Sequence, residues 1–306
     1  MKFPGTGRTL DSKVLLAFFA IYFIWGSTYL AIKYAVETIP PFLMMGTRSI
    51  VAGTILFLWS RFRGDENVRK EQWPSLFIIG ALFFLVGHGA LAWAQQKVPS
   101  GLAALLVASE PLWIALIESS AIRNFKIGFG GVVGLVLGFV GMLVLIMPSH
   151  SLGLEQTDAV GTAAILIGTL SWSSGAVYLR MAKLPKSSTL TAGVELIIGG
   201  LLLYIAAFAF GEVNYILNHS VSTRSILALG YLIIFGSIVA FTAYVWLLSK
   251  TSATRVATHT YVNPVIAVIL GWAAAQEPLS LNTMIATVII IVSVYLVLKD
   301  RAIKTH

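Results

Sequence analysis

The sequence holds no cysteine. That excludes disulfides, thiolate-bound metals and thiol nucleophiles, and it leaves the compartment open. Charge is scarce as well. Only 11% of the 306 residues are Asp, Glu, Lys or Arg, against about 25% in a soluble domain. No Walker loop is present, so no ATP engine is expected. Neither an H-E-x-x-H zinc pair nor a G-x-S-x-G nucleophile elbow occurs, and the five histidines are scattered without metal-ligand spacing. No cofactor, no metal and no enzymatic activity are expected.

What is abundant is apolar. Hydrophobic residues make up 57% of the chain, and the mean hydropathy is +0.86. Such a chain has too little polar surface to cover itself in water, and the lipid bilayer is its natural solvent. The net charge of +8 would suggest nucleic acid on a soluble protein. Here the basic residues lie in short connectors between apolar runs, as topogenic charge does, and no nucleic acid partner is expected.

Ten apolar segments follow one another. They run roughly Val14–Tyr34, Pro41–Ser60, Trp73–Gln95, Ser100–Ser120 and Ile127–Met147, then Val160–Met181, Ser188–Phe210, Ser225–Ser249, Thr254–Ala274 and Leu281–Leu298. Each is long enough to cross about 30 Å of hydrocarbon as a helix rising 1.5 Å per residue. The first follows Lys2, Arg8 and Lys13 as a signal sequence would. It is too long for one and lacks a clear small-residue cleavage site, so it reads as a retained helix.

Ten spans put both termini on one side. One set of segment ends carries 17 of the 21 basic residues, and the other carries only Lys33, Lys97 and Arg224, with Arg48 inside a segment. The positive-inside rule then places both termini in the cytoplasm.

The two halves are related. A shift of 147 carries Trp25 onto Trp172, Ser27 onto Ser174 and Arg48 onto Glu195, the last between Gly46/Gly193 and Gly53/Gly200. A shift of 153 carries Trp93 onto Trp246 and Pro111 onto Pro264; a six-residue insertion between the seventh and eighth segments accounts for the change. With five segments per half, the copies at 14–147 and 158–298 must be inverted in the membrane. Inverted repeats are a feature of transporters, with the site at the repeat interface near mid-bilayer.

These segments resemble the drug/metabolite transporter superfamily, specifically its ten-helix EamA-type exporters. The resemblance is carried by Trp25-Gly26-Ser27-Thr28-Tyr29, Val98-Pro99-Ser100-Gly101, Ser171-Trp172-Ser173, Phe235-Gly236-Ser237 and Tyr261-Val262-Asn263-Pro264, and by Glu277. It spans about residues 14–298, and it is specific for fold and weak for substrate. It implies a central cavity lined by segments 1, 3, 4, 6, 8 and 9, with 5 and 10 peripheral. Asn124 stands in the first half where the second has Glu277, so that acid is not shared between the repeats.

Ionisable groups inside the segments are the best pointers to chemistry, because a charge at a helix centre costs about 2.5–3.5 kcal/mol on insertion scales. Glu110 comes first. Ten residues from Ser100 place it about 15 Å deep, at the midplane. Pro111 follows it and favours a kink, as Pro264 does in the other half. Glu110 is expected either to carry a proton or bind a cation, with Asn263 opposite, or to be a neutral acid joining helices. Glu118 lies two turns further on, a second proton-coupling candidate or a snorkelling acid. Arg48 and Glu195 invite pairing, but their depths leave about 10 Å between them, and structural or gating roles are equally open.

His88 and His259 could relay protons, or be bonded to backbone. Trp25, Trp93 and Trp172 lie away from the usual interfacial belts; with Tyr29 and Tyr261 they are candidates for the walls of a substrate site, or for ordinary packing. Gly130, Gly134 and Gly138 form a stripe that permits close helix approach, within the chain or in a homodimer.

The expected protein is an all-α integral membrane transporter of two inverted five-helix repeats. The expected function is export of small amino-acid-like or amphipathic metabolites across a bacterial inner membrane by alternating access. Proton coupling is a further possibility. An uncoupled facilitator of the same fold is the alternative within transport. A membrane enzyme lacks a catalytic cluster, and a scaffold lacks a partner-binding domain.

Overall fold

A computed structural model describes residues 12–121, 128–146, 158–250, 256–277, 279 and 281–304, and these contain helices and no strand. In chain order the helices are α1 (Ser12–Ala35), α2 (Pro41–Phe62), α3 (Lys70–Ala94), α4 (Ser100–Val107), α5 (Glu110–Ala121) and α6 (Phe129–Ile146). Then come α7 (Ala159–Met181), α8 (Ser188–Ala209), α9 (Glu212–Asn218), α10 (Thr223–Lys250), α11 (His259–Ala275) and α12 (Leu281–Lys304). Asn124 lies outside the described residues.

Seven helical stretches are long and apolar enough to cross a bilayer: α1, α2, α3, Ser100–Glu118, α7, α8 and α10. Shorter apolar stretches lie in α6, α11 and α12. Hydrocarbon demands this architecture, because every backbone polar group must then be paired within the segment. Leu16, Phe62, Ile205 and Phe208 are exposed while Arg48, Glu110, Glu195 and Asn263 are buried. That inversion of the soluble pattern suits a protein surrounded by lipid.

Local chemistry sets the helix ends. Pro41 opens α2, and Pro99 precedes α4; proline suits the first turn because its missing N–H would be unpaired there anyway. Asp158, Ser187 and Ser222 cap α7, α8 and α10 by accepting from the backbone N–H of Gly161, Leu190 and Ser225. At Gly211, φ is +74°, which ends the run after α8.

Two helix starts are capped from elsewhere in the chain. The Glu212 carboxylate accepts from the N–H groups of Phe42 (3.2 Å) and Leu43 (2.7 Å) at the start of α2. Glu277 accepts from the N–H of Ser100 (2.7 Å), the N–H of Gly101 (3.1 Å) and the Ser100 hydroxyl (3.0 Å) at the start of α4. A carboxylate there satisfies orphan donors and faces the positive end of the helix dipole. Burial pushes the Glu212 carboxyl above its usual range, and the two backbone donors pull the other way.

The helix ends fall into two groups. Lys97–Asp158, Arg224–Glu37, Thr38–Ser225 and the two caps gather the ends of α1, α3, α8 and α11 with the starts of α2, α4, α7 and α10. At the other end Asp65 accepts from Ser60 and Ser187, Lys186 approaches Glu66, and Arg180 approaches Glu118. Those hydroxyl donors hold the Asp65 carboxyl below its usual range. This second end carries Arg61, Arg63, Arg69, Lys70, Arg180, Lys183, Lys186 and Lys250 and is called the basic end below.

Among the described residues the most extensive helix pairs are α2 with α8 and α6 with α12. Glycines allow the first pair to touch backbone to backbone. A Cβ on Gly53 would lie 2.8 Å from the Gly193 carbonyl oxygen, and one on Gly200 would lie 3.1 Å from that of Gly46. In the second pair, a Cβ on Gly141 would meet Ile290 at 2.9 Å, and Gly138 faces Leu112 and Ser293. These two members of the sixth helix's glycine-rich face therefore serve packing within the chain.

Three helices contain π-helical turns: Ala20–Ile24 in α1, Ala81–His88 in α3 and Leu232–Phe241 in α10. Such turns are frequent at functional sites. The expected proline kink at Pro111 takes the form of a break. Ala108 and Ser109 form a turn between α4 and α5, so Glu110 opens a new helix. Pro264, by contrast, lies inside the continuous α11.

Candidate functional site

A cavity of about 70 Å³ lies where α1, α2, α3, α4, α5, α7 and α11 converge. Trp25, Thr28, Tyr29 and Ile32 of α1 line it with Gly87, His88 and Leu91 of α3 and with Ile165, Gly168, Thr169 and Trp172 of α7. Arg48, Val107, Glu110 and His259 complete the wall. Seven of the sequence candidates, Glu110, Trp25, Trp172, His88, His259, Tyr29 and Arg48, therefore share one wall.

The cavity is bipolar. At one side His259 Nε2 lies 3.6 Å from Glu110 Oε2, both groups buried. The other His259 nitrogen, Nδ1, is 2.9 Å from the Val256 carbonyl oxygen, which suits an N–H there and leaves Nε2 facing the acid. At the other side the Arg48 guanidinium donates to the Ser237 hydroxyl (2.7 Å) and reaches the Met45 sulfur (3.6 Å). His88 stacks on Trp172 at 4.9 Å, and its Nδ1 has no hydrogen-bond partner. Between the charged sides stand aromatic faces.

Toward the basic end the bundle is plugged by rings. Phe83 packs on Trp172 at 4.3 Å, Tyr244 on Trp25 at 4.9 Å and Phe84 on Phe241 at 5.1 Å. The Trp172 indole N–H donates to the Tyr244 hydroxyl (3.2 Å), and that of Trp25 to the Gly236 carbonyl (3.2 Å), an oxygen within the π turn of α10. Beyond the plug a polar vestibule of about 460 Å³ opens among Leu179, Arg180, Lys186, Val245, Leu248 and Lys250.

The remaining candidates lie elsewhere. Asn263 is buried outside the cavity wall. With its amide nitrogen turned toward α1 it donates to the carbonyls of Tyr22 (2.7 Å) and His259 (3.1 Å). It thus braces the π turn of α1. Trp93 faces outward. Glu118 is buried beside Arg180, 3.5 Å away, off the cavity. Arg48 and Glu195 form no ion pair within 4 Å, and both Glu195 oxygens are buried without a hydrogen-bond partner. The side chain of Tyr261 lies outside the described residues.

Sequence reasoning offered His259 as a proton relay or as a backbone-bonded histidine, without pairing it to Glu110; the backbone bond is present, to the Val256 carbonyl. It named neither Tyr244 nor Phe241 nor Phe83. The 153-residue shift read in the sequence pointed to two of these, since it carries His88 to Phe241 and Leu91 to Tyr244.

The EamA-like transporter family model matches residues 12–147 and 159–299. The inner membrane transporter YedA of Escherichia coli K12 is 36% identical over 283 residues, covering 92% of this chain and 89% of that protein. A chloroplastic WAT1-related protein of Arabidopsis thaliana is 28% identical, covering 96% and 70%. The transporter YoaV of Bacillus subtilis is 25% identical, covering 93% and 96%. A solved crystal structure superposes with a TM-score of 0.68 at 22% identity, covering 96% of this chain and all of its own, a likeness of fold. The chain belongs to the EamA-like transporter family, and it is a membrane transporter.

Proposed function

We propose that the chain is a secondary exporter of small amphipathic or amino-acid-like metabolites, working by alternating access between two inverted five-helix repeats in a bacterial inner membrane. The ten spans are α1, α2, α3, the α4–α5 pair, α6, α7, α8, α10, α11 and α12. Exchanging the halves turns the α2–α8 and α6–α12 pairs into themselves. It turns α3–α7 into α10–α1, α3–α8 into α10–α2, and α4–α7 into α11–α1. All of these are packed pairs. The two family matches have the same division. The basic end is then cytoplasmic, and the cavity faces the other side.

The observation that carries the reading is the cavity between the halves. It has an acid–imidazole pair on one side, a guanidinium on the other and indole faces between them. A carboxylate and a cation held apart match a zwitterion, and the rings match an apolar body. The Glu110–His259 pair can take up and release a proton within one buried site, which favours a proton-coupled exporter over a facilitator. The test is transport into liposomes under imposed pH gradients with a panel of amino acids and amphipathic metabolites. Accumulation driven by the gradient supports the reading; equilibration without accumulation supports the facilitator, and no transport of any class overturns it.

A further inference from the structure

Glu195 is not used by the mechanism above. It sits two turns into α8, buried, and among the described residues it is the one carboxyl whose two oxygens are both buried without a partner. The glycine contacts explain how it comes to be enclosed. Its own carbonyl lies 3.1 Å from where a Cβ on Gly80 of α3 would be. Two residues before it, Gly193 lies against the backbone of α2. An unpaired carboxylate charge in such a place is costly, so the uncharged acid is the form that suits it.

Its place in the repeat gives that burial a meaning. Arg48, its counterpart, lines the open cavity. Carried across the repeat, the cavity positions Tyr29, Gly87, His88 and Leu91 become Ala176, Ala240, Phe241 and Tyr244. All four are buried, and the last two are plug rings. The counterpart of the open cavity is therefore a closed, ring-filled space with an acid where the open one has a guanidinium. The vestibule at the basic end is lined by Leu179, the counterpart of Ile32, by Thr191, one turn before Glu195, and by Val245, the residue after Tyr244.

We propose that Glu195 is the proton-sensing carboxyl of a second conformation: buried as the neutral acid here, and wetted by the cytoplasm when the repeats exchange shapes. The inference rests on the alternating-access reading. In contact with water the acid gives its proton to a water molecule, leaving a carboxylate. That charge must take a proton back before the site can close. Ionisation of Glu195 therefore favours the inward-open conformation, and a rise in cytoplasmic pH shifts the population toward it. One proton linked to the change shifts the ratio at most about tenfold per pH unit. The buried ionisable groups on the helices around α8 are Arg48 on α2, His88 on α3 and Tyr244 on α10, with Glu212 of α9 at the far end; none is bonded to Glu195.

Because the chain has no cysteine, the full-length protein can report this directly. An Ala240→Cys variant in inside-out vesicles is exposed to a membrane-impermeant maleimide across a pH series. A Lys183→Cys variant, on an exposed connector, corrects for thiol ionisation. The expected result is a corrected labelling rate that climbs several-fold with pH, and that becomes flat when Glu195→Gln is added. Glu195→Asp should keep the climb, with a displaced midpoint, and it preserves the test if the Gln variant does not fold. Labelling that is the same at every pH, that climbs equally with Glu195→Gln, or that stays flat with Glu195→Asp overturns the role of Glu195 and leaves alternating access standing. No labelling of Ala240→Cys from the cytoplasmic side at any pH overturns both.

Discussion

The two ends of the helical bundle differ in what fills them. Toward the end where α4 begins, small and polar side chains such as Thr28, Gly87, Gly168 and Thr169 leave a cavity. Toward the basic end, Phe83, Trp172, Phe241 and Tyr244 close the same interface with rings 4.3–6.3 Å apart. The register of the proposed repeat sets His88 against Phe241, Leu91 against Tyr244 and Arg48 against Glu195. On that proposal side chains rather than backbone make the difference, and one scaffold holds two cavities, one open and one filled with rings.

The largest break in that comparison is expected at the helix crossing shared by both ends. Gly193→Leu puts a side chain where even a Cβ would lie 2.9 Å from the Phe57 backbone nitrogen and 3.2 Å from the Gly53 carbonyl oxygen. Overpacking costs about 1–3 kcal/mol where neighbours can give, and backbone cannot. Little monodisperse protein should be recovered, as size-exclusion chromatography would show.

Next comes the acid of the open half. Glu110→Gln keeps the shape and removes the titration, so gradient-driven transport should fall by about two orders of magnitude, as when a proton-transferring group is removed, while exchange persists. Wild-type coupling in that variant would reduce Glu110 to a packing residue.

Smaller, and aimed at the full half, is Trp172→Ala. It deletes one ring of the plug and the N–H donor to Tyr244. A core Trp→Ala change costs about 3–5 kcal/mol, but this one also unblocks the path to the vestibule. Liposomes carrying it should leak small solutes faster than wild type at matched protein, and an unchanged leak would show that the other rings suffice.

Outside the core, Glu277→Gln weakens the cap on α4. Losing a charged cap costs about 0.5–2 kcal/mol, read as a lower thermal midpoint with transport chemistry intact. Smallest is a pH effect at Asp158. The Gly161 N–H, ahead of Lys97, holds its carboxyl below the usual range. A lowered pKa gives stabilisation that is complete above the unfolded value of about 3.9 and is lost as pH falls through the folded value. Hydrogen-exchange protection at the first turn of α7, relative to the intrinsic rate at each pH, should therefore fall only in acid, and Asp158→Asn should remove that dependence.

Part of this could be read in advance, and particular residues show why. Hydropathy marks Glu110 as an acid inside an apolar segment, and the structure buries it. The glycine pairs mark the α2–α8 crossing because backbone contact leaves its trace as missing side chains. The Glu110–His259 pair could not be read, since it joins helices 149 positions apart in sequence. The role of Asn263 was hidden for another reason. It bonds a π turn in α1, and apolar runs look alike whether they wind as α or π. Glu277 was conspicuous as a residue, while its cap on Ser100 depends on where a distant loop comes to rest.

The glycine crossing has a consequence for how the protein can vary. At Gly53 and Gly193 a Cβ would meet backbone first, the Gly193 carbonyl oxygen at 2.8 Å and the Phe57 nitrogen at 2.9 Å, whereas at Gly46 and Gly200 it would meet the side chains of Tyr204 (3.3 Å) and Ile50 (2.8 Å) first. A substitution at Gly53 or Gly193 cannot be rescued by trimming the contact opposite, because backbone cannot be trimmed. Second-site suppressors at Tyr204 and Ile50 should therefore be recoverable for Gly46 and Gly200, and a pairwise mutational map would show two intolerant points with no epistatic lines across the contact.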